Sequence, residues 1–371
     1  MGQHLVLVGG GHAHMVTLAK LHTFVEKGHR VTVIGPSAFH YYSGMGPGML
    51  GQTYTPEEIR FATQRVVENK AGTFILGKAV SVDADEKTVR LESGEAIPYD
   101  VISFNAGSYV PRLNLEENVR DVYAVKPIER LMQAQEKILA LVNQKKITVG
   151  ILGGGPSSAE IAGNLWQLTS GTRENRPDIK IFAGKRFMAR FPENVKNSVE
   201  KSLSNRGIEV LTNGYVQSIG DHRIVLETGQ EYALDFIFLA MGVIPNPIFG
   251  NANLPTGPDG GLRVNEFLQS TEYPDIFGGG DCIYFQKQPL DKVGVYAVRQ
   301  NPVLYHNLMA RLEGEPLQAF DPAGDYLLIF NLGGGQGVLQ KGRIIFGGKP
   351  AFFIKDYIDR KFMRKFQAIE N

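Results

Sequence analysis

Two stretches, "VGGGHAHM" (8–15) and "LGGGPSSAE" (152–160), put three glycines after an apolar run and before a helix-forming segment. Such a turn suits an anionic diphosphate. Free backbone N–H groups and the positive helix end favour negative charge, and bare glycine lets a phosphate approach. In the dinucleotide pattern the first glycine makes the turn, the second admits phosphate, and the third lets helix pack on strand. Gly9, Gly10 and Gly11 form the first copy; Gly153 and Gly155 form the second, with Ser158 small enough for the third place. His14 takes that third place in the first copy. It either forces helix and strand apart or lies where space exists. His12, beside the same turn, is a candidate for the pyrophosphate side.

An acidic residue about 20 positions on, which would hold a ribose diol, is missing from both copies. The first has Ser37 in "VIGPSAFHYY"; the second has Lys185 and Arg186 in "IFAGKRF". That basic pair is either a solvated loop or an acceptor for a 2′-phosphate, which would point to NADPH.

The elements that must position these turns repeat as well. The run from "QHLVLV" to "HRVTVIG" reads strand, glycine turn, helix and strand, and "KKITVGILGGG" to "DIKIFAG" repeats the order. Each is followed by a strand ending in a glycine turn, "YDVISFNAG" with Ala106 and Gly107, then "LDFIFLAMG" with Gly242. The pattern predicts an α/β chain with two Rossmann-like dinucleotide-binding domains. A short strand with a Gly-Asp end follows at "YPDIFGGGDC", then a helix over 292–314. The tail from 325 reads as two β-like runs around "GGGQG" and a final helix.

Composition narrows the chemistry. A chain of 371 residues suits two or three domains, and a net charge of +1 with no basic stripe predicts no nucleic-acid partner. The chain has one cysteine, Cys282. It can form neither an internal disulfide nor a cysteine-rich metal centre, so redox chemistry needs a bound cofactor. Six of the eight histidines, His4, His12, His14, His22, His29 and His40, fall in the first 40 residues, but without supporting ligands no metal site is expected. No apolar run reaches membrane-spanning length and no export leader is read, which predicts a cytoplasmic protein.

Together these motifs resemble the two-dinucleotide flavoproteins called pyridine nucleotide-disulfide oxidoreductases, over nearly the whole chain. More narrowly, "YYSGMGPGML", "DVISFNAGS", "GVYAVRQNPVLYHNL" and "IKDYIDRKFM" resemble the flavoprotein module joined to selenide, water dikinase. That module is itself similar to type II NADH dehydrogenases. The resemblance implies a glutathione-reductase-like fold. FAD would bind a discontinuous domain (1–115 and 265–324), NAD(P)H a domain over 116–264, and a small α+β region would cover 325–371. It implies that Gly9, Gly10 and Gly11 hold the FAD pyrophosphate and that Asp281 bonds the ribityl or phosphate end. Gly153, Gly155 and Glu160, with Gly242 nearby, would line the nicotinamide site. Pro47 would fall beside the isoalloxazine ring. The reactive cysteine pair of disulfide reductases is replaced by "SGMGPGML", and the cysteines of sulfide:quinone oxidoreductases are absent too. Of the glutamine-rich quinone motif of type II enzymes only Gln300 remains, with Val295 and Arg299 in the other places.

With two nucleotide sites and no thiol pair, the resemblance implies hydride transfer from NAD(P)H to flavin, then electron transfer to a small acceptor such as a quinone, with no sulfur relay. Lys126 and Arg299 are candidates for polarising flavin or acceptor, and either could instead be a surface ion-pair partner. The alternative is a non-catalytic or regulatory flavin-binding module, for example a partner in selenium metabolism. In the tail, Ile354, Tyr357, Ile358, Phe362 and Phe366 form one stripe, with Lys355, Arg360, Lys361, Arg364 and Lys365 around it. Such a helix suits the inner membrane face, a homodimer contact, or a cap on its own core.

Overall fold

The computed structural model describes residues 2–370 apart from 112, 113, 118 and 173. The opening strand, His4–Val8, is buried along its length in a five-stranded parallel sheet. Arg30–Gly35 and Val101–Phe104 flank it, and Thr73–Leu76 and Ile276–Gly278 form the edges. A continuous apolar run is what a strand covered on both faces requires. The second sheet has the same plan. Thr148–Leu152 lies between Asp178–Phe182 and Phe236–Leu239, with Val122–Ala124 and Glu209–Leu211 at the edges.

The duplication extends to single hydrogen bonds. Gly9 N–H donates to Ile34 O, and Gly153 N–H to Phe182 O; Asn105 N–H donates to Val8 O, and Ala240 N–H to Leu152 O. Gly9 and Gly153 both have left-handed φ, +91° and +139°. A Cβ at either would overlap the carbonyl oxygen of the neighbouring strand end, Asn105 or Ala240. Only glycine satisfies both the dihedral and the approach. Each unit also carries a three-stranded antiparallel sheet, at 79–98 and 216–233.

His14 lies where space exists. Its Nδ1–H donates to Gly9 O at 2.6 Å, which leaves Nε2 to accept the Ser103 hydroxyl at 2.8 Å. The ring is fully buried, and burial lowers its pKa to about 4, so it is a neutral cross-link between turn and strand. The helix expected after this turn is broken. A 3-10 turn (His12–His14) leads into Met15–Ala19 and then Leu21–Glu26. At the break, Lys20 O accepts both the amide and the hydroxyl of Thr23, a local bond that competes with the regular ladder.

The tail adds a strand to the expected pair. Leu328–Asn331, Gly337–Lys341 and Ile344–Gly348 form an antiparallel sheet, followed by the helix Lys349–Gln367. It docks through glycine. A Cβ at Gly163 would overlap Leu332 O, and one at Gly333 would overlap Gly163 O. Gly163→Ala should therefore cost ~1–3 kcal/mol of stability. In limited proteolysis it should release the segment from 328 onward, and a digestion pattern like the wild type would refute this docking.

Candidate functional site

Around the first glycine turn, the amides of Gly10 and Gly11 find no acceptor among the described residues. Three buried side-chain atoms beside them, His12 Nε2, His40 Nε2 and Thr63 Oγ1, also lack a partner within the protein. A Cβ at Gly10 would overlap Thr63, and one at Gly11 would overlap Asn105 Oδ1. Asn105, which the sequence reading missed, ties this end of the sheet together. Its Oδ1 accepts the Ala13 amide at 3.2 Å and its Nδ2 donates to Gly279 O at 2.8 Å. Burial lowers His12 to about 4 and His40 to about 3, so both imidazoles are neutral. Bare backbone donors and unpartnered polar atoms fit a dinucleotide diphosphate.

The two sheets meet at an ion pair. The edge strand Ile276–Gly278 leads to Asp281, and the edge strand Val122–Ala124 leads to Lys126. Lys126 Nζ donates to Asp281 Oδ2 at 2.9 Å, and the Ser108 hydroxyl donates to the same oxygen at 2.7 Å. Burial alone would raise the Asp281 carboxyl, but Lys126 and Ser108 outweigh it and hold the pKa below the ordinary aspartate value. Ala106, Gly107 (φ +68°) and Ser108 form the turn that brings this hydroxyl in. The next residue, Cys282, is sealed. Its thiol donates toward Phe104 O and Gly279 O, and burial raises it to about 11. Such a thiol is not nucleophilic.

The second turn is more open. No atom lies within 4 Å of a Cβ placed at Gly155 or Gly242. Gly154 is packed, with the carbonyls of Ala183 and Arg186 2.7 and 2.8 Å from its notional Cβ. Ser158 is fully buried, and its hydroxyl has no partner within the protein. Glu160 faces the tail, where it accepts the Asn331 amide at 2.8 Å. Burial raises its pKa to about 7 against the opposing pull of Lys355.

That lysine is the least expected member. Lys355 and Asp359 are buried on the inner face of the tail helix, 8% and 4% exposed, and pair at 2.8 Å. Lys355 also donates to Gly44 O, and the Tyr42 hydroxyl donates to Asp359 at 3.1 Å. Burial works against the Lys355 charge, yet Asp359 and Glu160 outweigh it and keep its pKa raised. Three residues beyond Asp359, Phe362 stacks on His12 with ring centres 5.5 Å apart, so the tail reaches the first turn as well.

The remaining expected residues separate. Pro47 is buried in a short helix, Gly46–Leu50, with Gly46 against Ile128 and Leu131 and Gly51 against Asn164. Gln300 accepts the Gly280 amide at 2.7 Å and so holds the turn before Asp281. Arg299 points elsewhere, donating to Pro322 O and Gly324 O. The Ser37 hydroxyl accepts the Phe39 amide in a local turn. Lys185 pairs with Glu227 at 3.3 Å, and the Arg186 side chain is exposed.

The paired turns, each at the strand ends of a parallel sheet, define a two-nucleotide oxidoreductase. The family model of the pyridine nucleotide-disulphide oxidoreductases matches residues 3–308, and the chain belongs to that family. Its cofactors are FAD and NAD(P)H. It is 23% identical over 343 residues to the demethylphylloquinone reductase of Synechocystis sp., covering 88% of this chain and 84% of that one. It is 22% identical to the type II NADH:quinone oxidoreductase of Haemophilus influenzae, with 86% and 82% covered. The sulfide:quinone oxidoreductase structure from Aquifex aeolicus superposes with a TM-score of 0.80 at 19% identity, covering 99% of this chain and 92% of that chain.

An acid whose native pKa is raised binds more protons folded than unfolded, between 4.5 and about 7 here. Its contribution to stability therefore falls as pH rises through that window. In urea unfolding from pH 5 to 8, Glu160→Gln should lack this decline and gain on the wild type as pH rises. Parallel profiles would show that Glu160 does not titrate there.

Proposed function

We propose that the protein is an FAD-dependent NAD(P)H:quinone oxidoreductase that passes electrons without a redox disulfide at a membrane surface. The observation that carries this is the pair of bare-backbone turns joined through Asp281 and Lys126, with the chain's one thiol sealed from both. Bound FAD supplies the hydride acceptor and the store from which electrons leave. Gly9, Gly10 and Gly11 hold its diphosphate, with Asp281 on the ribityl side, within a unit formed by 1–115 and 265–324. Gly153, Gly155 and Ser158 hold the nicotinamide nucleotide in the unit over 116–264. Reduction of a quinone also consumes protons. Lys355, Asp359 and Tyr42 form a hydrogen-bonded group, with Glu160 in its field, that can deliver them. The names of the relatives support a quinone as acceptor, since all three are quinone enzymes by name.

The tail supports the membrane reading through an inverted polarity. The stripe expected to be continuous is divided, with Phe366 buried and Phe362 partly so, while Ile354, Tyr357 and Ile358 point outward. Phe353 and Tyr357 are 64% and 61% exposed, and the neighbouring strand adds exposed Ile344 and Phe346. The inner face holds the ion pair among Ala351, Met363 and Phe366, and large hydrophobic residues also lie outside. Lys361, Arg364 and Lys365 lie on the same helix. An apolar face with cations beside it suits an anionic lipid interface. No helix among the described residues is long and apolar enough to cross a membrane.

Anaerobic addition of NADH or NADPH should bleach the yellow protein, and a quinone should restore the colour. A flavin that neither nucleotide bleaches would favour the non-catalytic module. Phe353→Glu/Tyr357→Glu should abolish flotation with anionic liposomes and leave flavin content unchanged. Undiminished flotation would move the surface to another use, and conversion of a dimer to a monomer would assign it to self-association.

A further inference from the structure

The second copy lacks the carboxylate that a ribose diol needs, and Lys185 stands near where it would be. The fold brings one from elsewhere. Past the strand Asp178–Phe182, Gly184 (φ +69°) pairs with Gly214, and its missing Cβ makes room for the Tyr215 ring. Tyr215 is 55% exposed, and Lys185 Nζ lies 5.5 Å above its ring centre. Glu227 follows the strand Arg223–Leu226. Its amide donates to Tyr215 O at 2.8 Å, and its carboxylate is 3.3 Å from Lys185 Nζ. The loops are fixed by Asn213, which donates to Gln230 and the Tyr232 hydroxyl.

We propose that Glu227 supplies the missing carboxylate for the adenosine ribose of the nicotinamide nucleotide, making it the determinant for NADH over NADPH. This rests on the reading of the second turn as the nicotinamide site. Glu227 already neutralises Lys185, so a 2′-phosphate would meet a carboxylate in place of a free cation. A diol instead finds an acceptor with an ammonium beside it. The exposed Tyr215 face is the stacking surface for the adenine, an interaction indifferent to the 2′ substituent.

Calorimetric titration of the flavin-loaded protein with NAD+ and NADP+ tests this without turnover. The wild type should bind NAD+ more tightly. Glu227→Gln should shift the affinity ratio toward NADP+ by ~10-fold or more. Adding Lys185→Ala to Glu227→Gln should withdraw that shift, because the released ammonium would be gone. Tyr215→Ala should weaken both nucleotides by ~10-fold and leave the ratio alone. If both nucleotides bind and Glu227→Gln leaves the ratio unmoved, the assignment of Glu227 is overturned. If neither binds the flavin-loaded wild type, the reading of the second turn fails and takes this inference with it.

Discussion

Both halves of the molecule depend on one contact, in which a glycine with left-handed backbone lies directly under the carbonyl of the next strand's end. At Gly9 the carbonyl belongs to Asn105, and at Gly153 to Ala240. The contact leaves no room for a side chain, so the turn can rise only on the other side. In the first copy the amides of Gly10 and Gly11 that follow are left without an acceptor among the described residues. Position 14 shows how much else can vary. A histidine is accepted because its two nitrogens each find a partner, and a buried polar group is costly only when unpaired.

The two units meet through apolar packing of the Gly46–Leu50 helix on the core of the second unit, and through two polar contacts. Asp281 and Lys126 join the ends of the two edge strands, and Lys126 together with the Ser108 hydroxyl holds the carboxyl pKa low despite burial. At the second place the tail helix inserts Lys355 and Asp359 beside Glu160, while Phe362 covers His12. An ion pair taken out of water holds only if nearly every donor and acceptor is satisfied. The Gly44 carbonyl, the Tyr42 hydroxyl and the neighbouring acids provide that. The hydrophobic residues displaced from this face are left outward. The tail thus packs Lys355, Asp359 and Phe362 against the body of the protein and leaves Phe353 and Tyr357 exposed.

The duplicated α/β plan was legible in the sequence because parallel strands are apolar throughout and glycine turns mark their ends. Gly9, Gly11, Gly153, Ser158 and Asp281 could be named from the same signals. Asn105 and Ser108 were missed, although both flank the "AG" of a strand end that had been recognised. Arg299 was read as a candidate for polarising flavin or acceptor or as a surface ion-pair partner, and Gln300 as the remaining residue of a quinone motif. The structure gives one to the carbonyls of 322–324 and the other to the Gly280 amide. In the tail, helical spacing gave the stripe and left open what it packs against, and Lys355 was read only as positive charge around it. Its ion-pair partner Asp359, four residues on, was missed.

The sequence by itself determined what local rules control: strand and turn order, the repeat, glycine where the backbone needs it, and chemistry without a thiol pair. The tertiary structure decided which way each charge faces and what it meets. Lys126 meets Asp281 from 155 positions away. Glu227, in the turn of a hairpin, reaches Lys185 in the loop after another sheet's strand, and Lys355 turns inward beside Glu160. The physical reason is that charge interactions depend on distance in space and on the surrounding dielectric, and neither is a function of separation along the chain.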